Sequence, residues 1–269
     1  MSISMQLRTI GARGTKHGLA AGAVLAISGA AEAEVYFSTD FASGYSPGRL
    51  QGQNGWTSTY ENTNPIQVSG GRAVLGQSGQ DLYRNLDTPA PTTPGTTLYF
   101  SALLQVNTAS YGNHFLHVSD PAGTQSGFFG RVYAKSSGTG FVFGIRANNG
   151  AIGWGSQVLT FNTDYQVVVA WDFIAGPEND TCALYVDPSS TERSALSVYA
   201  TAAFNNALNE PASQVAAINL RQDGSGSPTV LVSTLAAGST LEDVGVVPSP
   251  GALALFSTAG LMVRRRRQA

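Results

Sequence analysis

The middle of this chain is built from short runs of seven to ten residues, rich in β-branched and aromatic side chains, that break at Gly, Pro, Asn or Asp. Such runs, alternating or fully apolar and bounded by turn formers, predict strands. TLYFSALLQV (97–106) follows the breaker run TPAPTTPG (88–95), and HFLHVSD (114–120) ends at Asp120-Pro121. GFFGRVYAK (127–135) and GFVFGIRA (140–147) flank Ser136-Ser137-Gly138-Thr139, which predicts a hairpin with a four-residue turn. YQVVVAWDF (165–173) is almost continuously apolar, as expected of a central strand covered on both faces. TCALYVD (181–187) follows the polar turn 176–180. VAAINLRQ (215–222) and PTVLVSTL (228–235) flank Asp223-Gly224-Ser225-Gly226, a second hairpin signature.

Helical spacing is nearly absent. The exception is the long connection 188–213, where one short helix is expected near Ala202 to Leu208. No internal repeat or interdomain linker is visible, and TPAPTTPG reads as a loop between strands. The pattern predicts one all-β domain over residues 34–244, an antiparallel β-sandwich.

Composition sharpens this in two ways. Charged residues are 12% of the 269, with 31 Gly and 12 Pro. The net charge of −2 hides an asymmetry: Arg8, Arg13, Lys16 and Arg264 to Arg267 lie at the ends, which leaves eight basic against sixteen acidic residues in the body. A body near −8 argues against nucleic acid as a partner, because phosphate binding needs a positive footprint. Cys182 is the single cysteine, so no internal disulfide forms, and it reads as a small apolar strand residue.

The two ends have a different composition. Arg8, Arg13, Lys16 and His17 precede the apolar run Gly18 to Ala30, and Ala31-Glu32-Ala33 then supplies small residues where a signal peptidase reads. Residues 1–33 are therefore expected to be a secretory signal peptide cleaved after Ala33. No arginine pair precedes the apolar run, which favours the general secretion route over the twin-arginine route. At the other end, Gly251 to Val263 is 13 residues long, and counting back to Gly245 gives 19 uncharged residues interrupted by Pro248 and Pro250. A short membrane helix is expected to start after Pro250, where proline is tolerated in a first turn. Arg264, Arg265, Arg266 and Arg267 would remain on the cytoplasmic side of the inner membrane.

Two resemblances attach to these residues. VPSPGALALFSTAGLMVRRRR (247–267) resembles a PEP-CTERM sorting tail, with Val247-Pro248-Ser249-Pro250 in place of the usual Pro-Glu-Pro. The resemblance implies that residues 245–269 are a sorting and anchor segment, that an exosortase and the secretion machinery are partners, and that the body moves on to the surface or extracellular matrix of a Gram-negative-type bacterium. The body resembles a concanavalin A-like jelly roll of the laminin-G-like type. The resemblance lies in TDFASGYSPGRLQGQNGWT (39–57), YQVVVAWDFIAGPENDTCALYVDP (165–188) and VLVSTLAAGSTLEDV (230–244). The last of these departs from the group, with Ser233-Thr234 where an Asp-Asn or Asp-Asp pair is usual.

Candidate chemistry is sparse. A jelly-roll glycoside hydrolase needs carboxylates at alternate strand positions, and the nearest approach is Glu178-Asn179-Asp180, in a turn and lacking a second Glu. His114 and His117 are three apart, so a regular strand would send them to opposite faces. No Gly-x-Ser-x-Gly is present, and neither metal nor cofactor is predicted, since Asp120, Asp180 and Asp187 have no EF-hand-like spacing. A binding role asks less: aromatic platforms beside polar loops. Trp154 in NNGAIGWGS is the leading candidate, with Trp56 and Tyr60 after the Gln-Asn-Gly turn and Tyr111 in ASYGNH; Trp171 reads as core. The expected function is a non-catalytic binding or structural module associating with extracellular polysaccharide. The alternatives are a divergent hydrolase and a purely structural matrix protein.

Overall fold

The computed structural model describes residues 33–60, 64–120, 128–147, 150–176, 179–203 and 214–247. In chain order the first strands are β1 (Val35–Asp40), β2 (Gly48–Arg49), β3 (Thr57–Tyr60), β4 (Gln67–Ser69) and β5 (Arg72–Leu75). Next come β6 (Asp81–Pro91), β7 (Thr97–Thr108), β8 (Asn113–Ser119), β9 (Phe128–Ser137) and β10 (Gly140–Arg146). The rest are β11 (Gly153–Trp154), β12 (Asp164–Asp172), β13 (Thr181–Val186), β14 (Ala200–Ala203), β15 (Gln214–Leu220) and β16 (Thr229–Gly238).

They form two antiparallel sheets packed as a sandwich. The nine-stranded sheet runs β14-β13-β12-β7-β16-β5-β4-β2, with β1 also on β16; the seven-stranded sheet runs β11-β10-β9-β8-β15-β6-β3. The core between them holds Phe37, Leu75, Phe100, Leu104, Phe115, Phe141, Phe143, Trp171, Leu184 and Ile218. Among the described residues there is no α-helix, only a single 3₁₀ turn at Arg193–Ala195. The expected antiparallel sandwich is therefore present.

Several local expectations need correcting. The β9–β10 turn is two residues, not four, because Ser137 already pairs with Gly140 and Gly138 takes φ 57°. The Asp223–Gly226 segment does not close a hairpin: β15 lies in one sheet and β16 in the other, so it carries the chain across the sandwich. Residues 88–91 of TPAPTTPG belong to β6, where Ala90 and Pro91 pair with Val215 and Gln214. Proline is tolerated there because β3 covers only Asp81 to Tyr83 and leaves that edge of β6 open. Ala202 and Ala203, assigned to a short helix, lie in β14; residues 204–208 are outside the described residues.

β12 is covered on both faces, as its apolar run predicts. Val167, Val169 and Trp171 face the core between the sheets. Val168 and Ala170 face outward, where Leu241, Val244 and Val246 pack on them with Tyr99 and Tyr185. This C-terminal strap is fastened by Ser101 Oγ, which donates to the Val244 carbonyl at 2.8 Å. Ser233 marks an irregularity in β16: the register shifts there, and the two halves of the strand pair β5 and β1 along one edge.

Candidate functional site

One cluster of polar side chains lies on the outer face of the seven-stranded sheet. In β9, Phe129, Val132 and Ala134 point into the core, which turns Arg131, Tyr133 and Lys135 outward. In β10, Phe141, Phe143 and Ile145 point inward, which leaves Val142, Gly144 and Arg146 outside. Asn219 of β15 lies beside His117 on one side and Tyr83 of β6 on the other.

β8 departs from a regular strand. Its pairing with β9 shifts register between His114 and Leu116 and again between Leu116 and Val118. Phe115, Leu116 and Val118 all reach the core, and the two histidines come out on the same face with ring centroids 5.4 Å apart. The expectation that they oppose each other fails because bulges reset the period of two.

Both imidazoles are buried, His114 at 5% and His117 at 3% exposure. Arg221 Nη1 lies 3.3 Å from His114 Nε2; with the guanidinium donating, the His114 proton is assigned to Nδ1. His117 is different: neither ring nitrogen has a hydrogen-bond partner among the described residues. Phe128 stands edge-on to it at 4.8 Å, with the Arg131 and Arg221 guanidinium groups 5.6 and 5.9 Å from the Phe128 ring centre. Burial pushes His114 down to about 3, and Arg221, Arg131 and Arg146 push the same way. Burial also takes His117 well below its ordinary range, assisted by His114, Arg221 and Arg131. Both are neutral near pH 7. Arg131 is itself lowered by burial, with Tyr133 opposing and Arg146 and Arg221 adding to the effect. Arg221 is balanced by Asp223 at 2.9 Å and Asp81 at 3.4 Å.

Trp154 lies at one edge of this face, on β11. Its ring covers Gly144 and reaches Gly112: a Cβ on either glycine would stand under 3.0 Å from the indole. Tyr133 meets it edge-on at 6.1 Å, and Lys135 Nζ stands over the ring, 4.1 Å from its centroid. Tyr111, next to Gly112, is 89% exposed. Two of the four candidate aromatics are thus brought to one edge. Trp56 is not among them. It is 1% exposed, packs on Phe41 and donates Nε1–H to the Tyr45 hydroxyl at 3.1 Å, so it is core rather than platform. The cause is the Asn54-Gly55 turn, with φ 44° and 83°, which feeds the indole inward. Tyr60 ends β3, and its side chain is outside the described residues.

The carboxylates considered for hydrolysis are placed elsewhere. Asp180 is buried, accepting from Trp171 Nε1 at 3.3 Å and Ile174 N at 2.8 Å, which makes it a clamp on the β12–β13 connection. Glu178 is outside the described residues. Trp171 is core, as its sequence context implies. Burial pushes the Cys182 thiol up to about 12, consistent with an inert core residue. Ala33 and Val247 are exposed; Ala31, Pro248, Ser249, Pro250 and Arg264 to Arg267 lie outside the described residues. No group of three or more metal-ligating side chains occurs among the described residues.

A separate open cleft of about 630 Å³ is lined by Asn64, Gln67, Ser78, Gln222 and Thr229 among others. The Gln222 amide is engaged within the protein, accepting from Gly76 N and donating to the carbonyls of Asn64 and Gln80. It works as a brace between loops.

The histidine cluster was missed in the sequence. Its one signal is that polar residues interrupt apolar runs: Arg131 in GFFGRVYAK, Asn219 and Arg221 in VAAINLRQ, and both histidines in HFLHV.

No protein-family model matches this chain, and no curated protein matches it. Solved structures are similar to this chain over most of its length at low identity. The globular domain of T. cruzi calreticulin is 12% identical, with 87% of this chain and 100% of that one covered at a TM-score of 0.47. A pseudo β-1,3-glucanase of Mycobacterium tuberculosis is 13% identical over 76% and 98%, with TM-score 0.47. Peanut lectin is 11% identical over 78% and 99%, with TM-score 0.43. At these identities and scores the likeness carries nothing about ligand or reaction.

Proposed function

We propose that this is an exported protein, sorted by an exosortase at its C-terminal tail to the cell surface or matrix, whose jelly-roll sandwich binds extracellular polysaccharide without transforming it. The observation that carries the binding role is the Trp154 edge: the 89% exposed Tyr111 beside a half-buried indole laid over two glycines, with Lys135 over that ring as a donor, continuous with a polar sheet face. Aromatic rings beside hydrogen-bonding side chains are what a sugar's apolar faces and hydroxyls require. The non-catalytic part is supported by Asp180, whose carboxylate is committed to Trp171 and Ile174.

Sorting is supported by the tail's sequence: Val247, 72% exposed, opens Val247-Pro248-Ser249-Pro250, and the apolar stretch Gly251 to Val263 and Arg264 to Arg267 follow it.

The test is a polysaccharide panel on the full-length protein, read for both binding and product release. Saturable binding without products, lost in Trp154→Ala, is the expected result. Product release would overturn the non-catalytic reading, and silence across the panel would favour a purely structural matrix role. Sorting is tested separately by deleting Arg264 to Arg267 in a host with an exosortase: the unprocessed precursor should accumulate.

A further inference from the structure

His117 presents a chemical anomaly. A buried polar group without a partner is costly, so native proteins rarely keep one without a use. Both nitrogens of His117 are in this state, and the ring is 3% exposed. Its surroundings say what would satisfy it. Arg131 and Arg221 flank the same Phe128 ring that packs on His117, and Arg146 pairs with Arg131 across β9 and β10. The charged side chains that act on the His114 imidazole are all arginines. Arg221 has Asp223 and Asp81 as counter-charges, but the charges acting on the imidazole itself come from Arg221, Arg131 and Arg146, so a further cation is disfavoured beside the ring and an anionic group is the better fit.

The neutral imidazole narrows the class further. It holds one N–H donor and one bare nitrogen acceptor. A simple oxyanion has only acceptors and can satisfy one of the two. A group carrying a carboxylate and hydroxyls on one ring can satisfy both: the carboxylate accepts from N–H and guanidinium, and a hydroxyl donates to the bare nitrogen. Asn219 adds an amide beside His117, its Nδ2 donating to Ser119 Oγ at 2.9 Å while its carbonyl oxygen can accept from a sugar hydroxyl.

We propose that the ligand is an acidic glycan, and that the His114–His117–Arg131–Arg221 cluster on the outer face of the seven-stranded sheet receives a uronate residue of it. This rests on the polysaccharide-binding reading above and specifies its ligand. Phe128 packs on His117, so contact with the imidazole requires that ring to swing aside as the uronate binds. Trp154 and Tyr111 then lie along the same face for neighbouring sugars.

The experiment is calorimetric titration of the full-length protein with polygalacturonate, amylose and poly-L-glutamate, with melting curves of each variant. Polygalacturonate should bind, amylose at least about tenfold more weakly because it lacks the carboxylate, and poly-L-glutamate likewise because it lacks the ring hydroxyls. His117→Phe keeps the ring shape and removes both nitrogens. It should weaken polygalacturonate binding by about tenfold or more while raising Tm, because it deletes an unsatisfied buried polar group. Arg131→Gln, a second variant that does not depend on the first one folding, should weaken binding similarly and flatten its salt dependence. Equal binding of amylose would sink the acidic-ligand inference and leave the polysaccharide reading intact. Equal binding of poly-L-glutamate would show a site for any polyanion and sink it too. Unchanged binding in both variants would remove the assignment to this cluster, and no binding of either polysaccharide would overturn the inference, with the wider panel deciding the reading beneath it.

Discussion

A Cβ on Gly144 would stand 2.6 Å from Cε3 of Trp154, so the indole lies where only a glycine can lie beneath it. The two residues are register partners on β10 and β11, and the missing side chain of one makes the floor on which the other rests. The Trp154 platform is therefore held from below by backbone, with Tyr133 at its edge and Lys135 over its ring.

Gly144→Ala should lift the indole from this seat. Overpacking of this kind costs about 1–3 kcal/mol. We expect a lower Tm and loss of glycan binding comparable to Trp154→Ala, while Gly138→Ala, at a turn where a Cβ meets nothing but φ is 57°, should lower Tm without touching binding. Melting curves and a binding isotherm on the two variants separate these outcomes.

Stability should fall on mild acidification. A base whose folded-state value lies below its ordinary 6.5 contributes stability that is complete above pH 6.5 and is lost as the pH falls toward that lower value, about 3 for His114. At pH 4 that loss is about 3 kcal/mol from His114 alone. His117 acts in the same direction. The groups around the pair are Arg131 and Tyr133 from β9, Arg146 from β10 and Arg221 after β15, with Asp81 and Asp223 on Arg221. Tm measured from pH 7 to 4 should drop steeply, and the drop should shrink in His114→Gln. An unchanged slope in that variant would mean that the histidines are not its source.

Two bidentate ion pairs should differ in worth. Arg193 grips Asp172 through Nη1 and through Nη2 at 2.7 Å, while its Nε–H donates to the Tyr185 hydroxyl at 3.1 Å. Asp172 also accepts from Thr97 and Thr181. Burial pushes its carboxyl up, but hydrogen bonds from Arg193 and Thr97 outweigh this and hold it below the usual range. Arg193→Ala should cost about 2 kcal/mol, because it strands a partly buried carboxylate. Arg72→Ala, opposite the more exposed Asp164, should cost less than about 1 kcal/mol. Urea unfolding of the two variants checks the order.

The strap across the nine-stranded sheet should be part of the cooperative fold. Val244 is 1% exposed against Val168, Ala170 and Tyr185. Val244→Ala should cost about 2 kcal/mol, and ending the chain after Val247 should leave Tm within about 2 °C of the parent. A truncation that unfolds the body would show that the tail contributes to its stability.

The class of fold was legible in the residues themselves. Apolar runs of strand length, spaced by Gly, Pro, Asn and Asp, leave few other ways to bury that surface, and β7, β8, β9, β10, β12, β13, β15 and β16 all fall within a few residues of their runs. Periodicity also placed Trp171 and Cys182 in the core, since each sits inside a run whose neighbours must be buried. What the residues could not reveal was decided by register. Asp223–Gly226 has the composition of a hairpin turn, but sheet pairing, which is non-local, sends β15 and β16 to different layers. Pro89 and Pro91 look like breakers until the neighbouring strand proves too short to need their missing N–H groups. Trp56 reads as a loop aromatic until the Asn54-Gly55 turn feeds it inward, whereas Trp154, in an equally Gly-rich stretch, is laid on the surface because Gly144 and Gly112 arrive beneath it from other strands. The histidines show the same division most sharply. Their spacing of three assigns them to opposite faces of a regular strand, and only the bulges in β8, forced by its pairing with β9, bring them together. Composition and local pattern thus determined that the body would be an antiparallel sandwich, because burial and turn chemistry are local properties. The tertiary structure alone decided where its polar side chains converge, because strand register is set by partners distant in sequence.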